Sequence, residues 1–274
     1  MEAILTKYNK LDTSFGGFEI GDITVIGGRP SFGKSAFIQN CIINNISEIS
    51  MFYLSLNYNK DKIYNRFISL LSDIDIDNIK THYLNEIEQL ESNEARKKLD
   101  NSKLIIESEI FATFKHIKFM IYKTINNYPN LKLIILDDIQ HIKNFDKKSE
   151  KILRELKIIA VEYKIALVLI SQINRKVEER KSKFPLLSDL HGSKFIESFA
   201  DKILLFYRED IYHERYEITK EYKSRLKGKN YVSNFIAENV VTVRINVAKK
   251  NNNNQSSFTS FKFDKSKLKI FQEG

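Results

Sequence analysis

Eight consecutive residues, Gly28-Arg29-Pro30-Ser31-Phe32-Gly33-Lys34-Ser35, fit the pattern G-x-x-x-x-G-K-[ST] at every fixed position. Each fixed residue type has a chemical reason. The two glycines let the backbone curl until its N–H groups converge on phosphate oxygens, and the positive end of a following helix adds to them. Lys34 would contact the β and γ phosphates of a nucleoside triphosphate, and the Ser35 hydroxyl would join the oxygen shell of Mg²⁺. The context the pattern requires is present, because an apolar run at 23–27 precedes it and helical spacing begins at Ala36. A nucleotide loop also needs an acidic metal partner on a neighbouring strand. Leu133-Ile134-Ile135-Leu136 runs into Asp137 and Asp138, so Asp137 is expected to serve the metal, with Asp138 left to orient the site or face solvent.

The elements around these residues follow from hydrophobic periodicity. Short apolar runs at 23–27, 51–56, 104–107, 131–136, 166–171 and 203–207 read as buried strands. Segments with helical spacing lie between the first five, at 36–47, 61–72, 113–127 and 149–163. The last is expected to turn Ile152, Leu156, Ile159 and Val161 to a core. Alternation of this kind predicts an α/β fold with a mainly parallel sheet flanked by helices. The tail changes character: 240–247 and 257–263 read as strands around a polar tract, an antiparallel hairpin-like end. The charged stretch 75–101 reads as helical, with Leu84, Ile87 and Leu90 as its apolar positions. Residues 209–234 are densely charged and weakly patterned, and a mobile insertion is expected there.

Bulk composition narrows the class. At 274 residues and 42% hydrophobic the chain can bury a full core, and one domain over 1–274 is expected. A net charge of +9 favours a polyanionic partner, although a solvated lysine-rich surface gives the same number. The single cysteine, Cys41, excludes an internal disulfide framework and points to a reducing cytoplasm. No stretch approaches the roughly 18–20 apolar residues of a membrane-spanning helix, so no membrane partner is expected.

Several separated stretches now resemble one family, the RecA-like motor domain of replicative DnaB-type helicases, from about residue 6 to residue 273. Leu11-Asp12, Gly16-Gly17-Phe18 and Gly21-Asp22 resemble its entry segment, and Arg29-Pro30-Ser31 its own form of the phosphate loop. Leu136-Asp137-Asp138-Ile139-Gln140 sits where the family has its metal aspartate and a following glutamine. Ser171-Gln172-Ile173-Asn174-Arg175 is similar to the strand end that senses the γ-phosphate. Ser188-Asp189-Leu190, Ile196-Glu197, Ala200-Asp201 and Tyr207-Arg208-Glu209 follow in the family's order.

The resemblance implies a RecA-like P-loop fold, ATP as the nucleotide and a ring, usually a hexamer, whose channel loops track single-stranded DNA. Gln172 would report the γ-phosphate to the loop 174–192. Arg175, Lys176, Arg180, Lys181 and Lys183 of that loop suit sequence-blind, salt-dependent backbone contacts. A solvated loop is the alternative, since Glu178 and Glu179 share the segment.

Three departures stand out. Where the family ends its second strand with a glutamate after Ser-Leu, this chain has Ser55-Leu56-Asn57. An amide holds a water but does not take its proton, and loss of a positioned base costs about 10²–10⁴-fold in rate. Where the family presents Lys-x-Arg to the neighbouring subunit, this chain reads Lys249-Lys250-Asn251, which keeps Lys249 as the candidate basic finger and lacks the arginine. The sequence starts almost at the motor domain, without the family's amino-terminal domain and linker, so the expectation is either an excised domain or a short protein that assembles differently. The expectation is an ATP-binding, DNA-associated helicase domain with weakened hydrolysis. The rival from another class is a non-hydrolysing ATP-binding regulator or subunit that joins another helicase or replication protein. A recombination mediator or circadian-type ATPase of the same fold is disfavoured by Arg29-Pro30-Ser31 and the 171–175 segment.

Overall fold

Runs of apolar residues that do not alternate with polar ones must be buried on both faces, and the sheet is built that way. The computed structural model describes residues 2–212, 239–250 and 253–272. Eleven strands are present among them: β1 (Ala3–Ile4), β2 (Phe18–Glu19), β3 (Ile23–Gly28), β4 (Ser50–Ser55), β5 (Leu104–Ser108), β6 (Leu131–Asp137), β7 (Ala166–Gln172), β8 (Lys202–Tyr207), β9 (Val240–Lys250), β10 (Asn253–Asp264) and β11 (Lys269–Phe271). The helices are α1 (Asn9–Phe15), α2 (Lys34–Asn45), α3 (Lys60–Ser72), α4 (Ile76–Thr81), α5 (Glu86–Asp100), α6 (Phe114–Asn127), α7 (Phe145–Tyr163) and α8 (Ser193–Phe199).

β1 and β2 form a small antiparallel pair, and the other nine strands make one sheet in the order β11-β10-β9-β8-β3-β7-β6-β4-β5. The six strands from β8 to β5 in that order are parallel, while β9, β10 and β11 run antiparallel, as the tail's altered pattern predicts. Each central strand feeds two cores. Met51, Tyr53, Leu133, Ile135, Val168 and Ile170 turn to one face with α2 and α3, where Cys41 is also buried. Phe52, Leu54, Ile134, Leu136, Leu167 and Leu169 turn to the other with α6 and α7.

Two expectations about helix faces are corrected. Ile152, Leu156 and Ile159 of α7 are buried, but Val161 lies two residues further round the helix and is 57% exposed. In α5 the buried positions are Ser92, Ala95 and Leu99, while Ile87 and Leu90 face solvent. Only its carboxyl-terminal half packs, so small residues rather than the largest apolar ones mark its inner face. Most of the segment expected as an insertion, 213–238, lies outside the described residues.

One buried charge fastens the amino-terminal segment. Lys202 on β8 has no exposed surface, and its Nζ donates to Phe15 O at 3.2 Å, Gly17 O at 2.9 Å and Glu19 Oε1 at 2.6 Å. Two carbonyls and one carboxylate give all three ammonium protons an acceptor, so the buried group is fully hydrogen-bonded. No helix of the described residues is long and apolar enough to cross a membrane.

Candidate nucleotide site

Because β3, β4, β6 and β7 are parallel, their carboxyl ends collect at one edge of the sheet, and Gly28, Ser55, Asp137 and Gln172 are brought together there. That edge is where open α/β sheets hold ligands. The register is direct: Gly28 pairs with Gln172 on one side and Phe206 on the other, and Ser55 pairs with Asp137. After Gly28 the chain turns back into α2, with Ser31 at φ 66° and Gly33 at φ 87°, both in the left-handed region. A Cβ at Gly28 would stand 3.0 Å from the Phe206 Cβ and 3.2 Å from its carbonyl oxygen, so a side chain there would push against the neighbouring strand. The loop therefore delivers the unpaired N–H groups of α2 to one point, where they suit an anion.

Lys34 is buried, and its Nζ donates to Gly28 O at 2.8 Å and Arg29 O at 2.9 Å, closing the loop on itself. Burial pushes its pKa down to about 8, against the pull of Asp138 and then Asp137. Phosphate oxygens at the loop would supply the counter-charge this ammonium lacks. Asp137 is 5% exposed and accepts from the Tyr53 hydroxyl and from Ser35. Burial raises its carboxyl above the usual range, opposed by those two hydrogen bonds. The pairing of Ser35 with Asp137 is the donor set a hard cation needs: two oxygens, with the remaining positions left for water and phosphate. A cleft of about 320 Å³ opens over Phe32, Gly33, Lys34, Ser35 and Ala36, and is closed by Tyr58, Arg66, Arg208 and Phe263.

Several participants carry no signal in the sequence. Tyr53 is fully buried below Asp137, and its hydroxyl also accepts from Gln39 Nε2 at 3.1 Å. Gln39 Oε1 in turn accepts from Arg66 Nε at 2.9 Å, so a chain of donors runs from a cleft arginine to the metal aspartate. Arg208 donates to Ser31 O and lies over the Phe263 ring, 5.7 Å from its centre. The Asp138 side chain neither faces solvent nor caps the turn that follows it: it is 5% exposed, with Oδ2 accepting from Gln172 Nε2 at 2.7 Å and Oδ1 2.5 Å from His141 Nδ1. Gln140 ties the same corner to β7 by accepting from Gln172 N at 3.0 Å and donating to Ser171 Oγ at 2.8 Å.

The phosphate loop is fastened to the segment that follows Gln172. Arg29 is buried and pairs with Glu178 Oε1 at 2.9 Å. Phe32 meets the Tyr207 ring edge-on at 6.2 Å, and Tyr207 stacks on Phe184 at 4.1 Å. The five basic residues expected to contact DNA separate into two groups. Arg175, Lys176 and Lys181 are exposed. Arg180 and Lys183 do not join them: Arg180 is bidentate to Asp189 at 3.0 and 2.7 Å, and Lys183 Nζ donates to Glu178 O at 2.5 Å. Their charge shapes the loop from within.

Lys249, expected as a finger toward a neighbouring subunit, is bound within its own chain. It is 7% exposed, its Nζ donates to Glu197 O at 2.5 Å and Ala200 O at 2.6 Å, and burial lowers its pKa. To reach a neighbouring subunit the ammonium would have to leave these two carbonyls. Asn251 lies outside the described residues. Asn57 follows β4 at the site's edge, half-buried.

Comparison with known proteins agrees with this architecture. Residues 3–272 match the DnaB-like helicase C terminal domain. The probable replicative DNA helicase of Trieres chinensis is 30% identical over 226 residues, 79% of this chain and 50% of that protein. The replicative DNA helicase DnaB of Buchnera aphidicola is 31% identical over 78% of this chain and 48% of its own length. The chain thus spans about half the length of the curated relatives it matches. Among solved structures, an ATPase domain superposes on the whole chain with a TM-score of 0.78 at 22% identity, and 92% of that domain is covered. A DnaB-like replicative helicase, solved with its interactions with primase, gives 0.79 at 23%, covering all of this chain and 62% of that one. With the RecA-like sheet, the phosphate loop and a family match over nearly its full length, this chain belongs to the DnaB-like helicase C-terminal domain family.

Proposed function

We propose that the chain is a single RecA-like ATPase domain, spanning 1–274, that binds ATP with Mg²⁺ and single-stranded DNA and couples slow ATP hydrolysis to DNA unwinding within a ring. The observation that carries this reading is the convergence of Gly28, Lys34, Ser35, Asp137 and Gln172 at one edge of the sheet. The N–H groups of Gly33 to Ala36 would hold the β and γ phosphates, with Lys34 moving from the loop carbonyls to the phosphate oxygens. Ser35 and Asp137 would hold Mg²⁺, which when bound draws off charge developing on those oxygens. Tyr53 fixes the orientation of Asp137. Gln172 stands between the nucleotide and the 174–192 loop, where the exposed Arg175, Lys176 and Lys181 are placed to meet a DNA backbone.

Hydrolysis is slow in this reading because Asn57 stands at the glutamate position. Asn57→Glu is expected to raise the single-turnover rate by about 10²-fold, the lower end of what a positioned base contributes. Robust wild-type turnover that this change leaves as it was would overturn the slow-hydrolysis assignment. Charge on the 174–192 loop is tested separately by titrating a fluorescent oligonucleotide at several salt concentrations. Each of Arg175, Lys176 and Lys181 replaced by Ala should flatten the log–log salt dependence by about 0.7. Arg180→Ala should instead lower binding by disordering the loop. An unchanged slope in the triple variant removes the loop from the DNA path.

The second reading, a non-hydrolysing regulator that joins another helicase or replication protein, is favoured by the same Asn57 and by Lys249 being tied within its own subunit. ATP binding with no phosphate release, with or without single-stranded DNA, would select it.

A further inference from the structure

The carboxylate missing from the end of β4 has a counterpart on the adjacent strand. β4 and β6 are neighbours in register, Ser55 beside Asp137, and Leu56 N donates to Asp137 O at 2.6 Å. The next residues along the two chains, Leu56 and Asp138, therefore leave the sheet side by side at its carboxyl edge, and Asn57 follows Leu56 by one residue. The geometry points to Asp138 as the acceptor for the attacking water in ATP hydrolysis, taking over at the end of β6 the task that Asn57 does not perform at the end of β4. This assignment rests on the ATPase reading above.

Three observations support it. First, Asp138 is buried at 5% exposure, so its carboxylate acts in a poorly screened environment, where an acceptor interacts strongly with a water. Second, it is positioned rather than loose: Gln172 holds Oδ2, His141 holds Oδ1, and Gln140 fixes the Gln172 backbone. Each carboxylate oxygen keeps a second lone pair, so a water can be received without breaking either contact. Third, Asp138 lies at the edge of the nucleotide site: Gln172, the residue it binds, pairs with Gly28 at the start of the phosphate loop. Asp137, engaged with Tyr53 and Ser35, is the carboxylate that would hold Mg²⁺ in the reading above, so the two neighbouring aspartates have separate tasks.

The step balances without another reactant. The water oxygen bonds to the γ-phosphorus as the bond from that phosphorus to the β,γ-bridging oxygen breaks. The electron pair of the broken bond leaves on ADP, and one water proton passes to the Asp138 carboxylate, which then releases it to inorganic phosphate or solvent. Aspartate is one methylene shorter than glutamate and starts one strand away, so its reach to the water differs from that of a residue at position 57.

The experiment uses the full chain with ATP, Mg²⁺ and single-stranded DNA, and reads ATP affinity alongside single-turnover phosphate release. Asp138→Asn keeps the acceptor for Gln172, so a merely structural aspartate would tolerate it. The expected result is a loss of turnover of about 10²-fold or more with ATP affinity within about threefold of wild type. Adding Asn57→Glu to Asp138→Asn is expected to restore turnover, because a carboxylate then returns to the other strand end. Turnover in Asp138→Asn within about threefold of wild type overturns the assignment and leaves the ATPase reading standing. So does a loss that Asn57→Glu fails to restore. ATP binding by the wild type without any turnover also overturns it, while favouring the regulator. Failure of the wild type to bind ATP overturns the ATPase reading itself.

Discussion

Lys34→Met is expected to lower ATP turnover by about 10²–10³-fold, the range lost when one preorganised charged donor is removed from a developing negative charge. The side chain already sits in the loop, buried at 7% exposure with its ammonium on two carbonyls. Phosphate oxygens entering that space would meet a cation that needs little reorientation. The same variant has a second signature in stability. Burial places the folded pKa near 8, below the ordinary 10.5. Folding therefore disfavours the charged form: protonated Lys34 weakens the fold below about pH 8, and this penalty fades as pH rises from there toward 10.5. Methionine, similar in length and uncharged, should leave thermal stability at pH 7 equal to or above wild type while turnover collapses. Phosphate release and a melting curve on the same sample check both parts. A variant that still turns over ATP at the wild-type rate would remove Lys34 from the chemistry.

The largest loss of stability is expected at Glu19, far from the phosphate loop. Glu19→Ala leaves the Lys202 ammonium with two carbonyls and no counter-charge in a site with no exposed surface. Removing one partner of a buried pair costs about 3–5 kcal/mol. Because Lys202 lies on β8, which pairs with β3, the damage should spread to the nucleotide site. Urea denaturation measures it directly. Adding Lys202→Met to Glu19→Ala should recover most of the loss, since an apolar side chain of similar length leaves no charge stranded. A single variant less than about 1 kcal/mol below wild type would show that water reaches Lys202 once the carboxylate is gone.

These two residues illustrate what the sequence discloses. Lys34 is legible because its chemistry is written in eight adjacent residues, and its strand and helix in the runs on either side. The strands of the parallel sheet are legible because burial on both faces gives unbroken apolar runs. Lys202 and Glu19, by contrast, are 183 residues apart, and nothing local marks either as buried. Tyr53, Gln39 and Arg66 are silent for the same reason: their connection to Asp137 runs across strands and between helices. Asp138 is visible as a residue while its direction is not, because one bond rotation separates a solvent-facing aspartate from one aimed at Gln172. The basic residues mislead wherever charge is equated with exposure. Arg180, Lys183 and Lys249 all direct their donors to the chain's own oxygens.

The central position of β3 has a consequence for how the molecule is made. The phosphate loop is encoded at residues 28–35, yet the strand that carries it is flanked only by β7 and β8, which come from residues 166–207. No strand synthesised before Ala166 can pair with it. During translation the loop must emerge and wait, unpaired, until β7 and β8 have followed, a long-range closure of the kind that slows folding. A nascent chain arrested before residue 166 should bear the entire sequence motif and retain no ATP. Competence would arrive abruptly once β7 and β8 have left the ribosome.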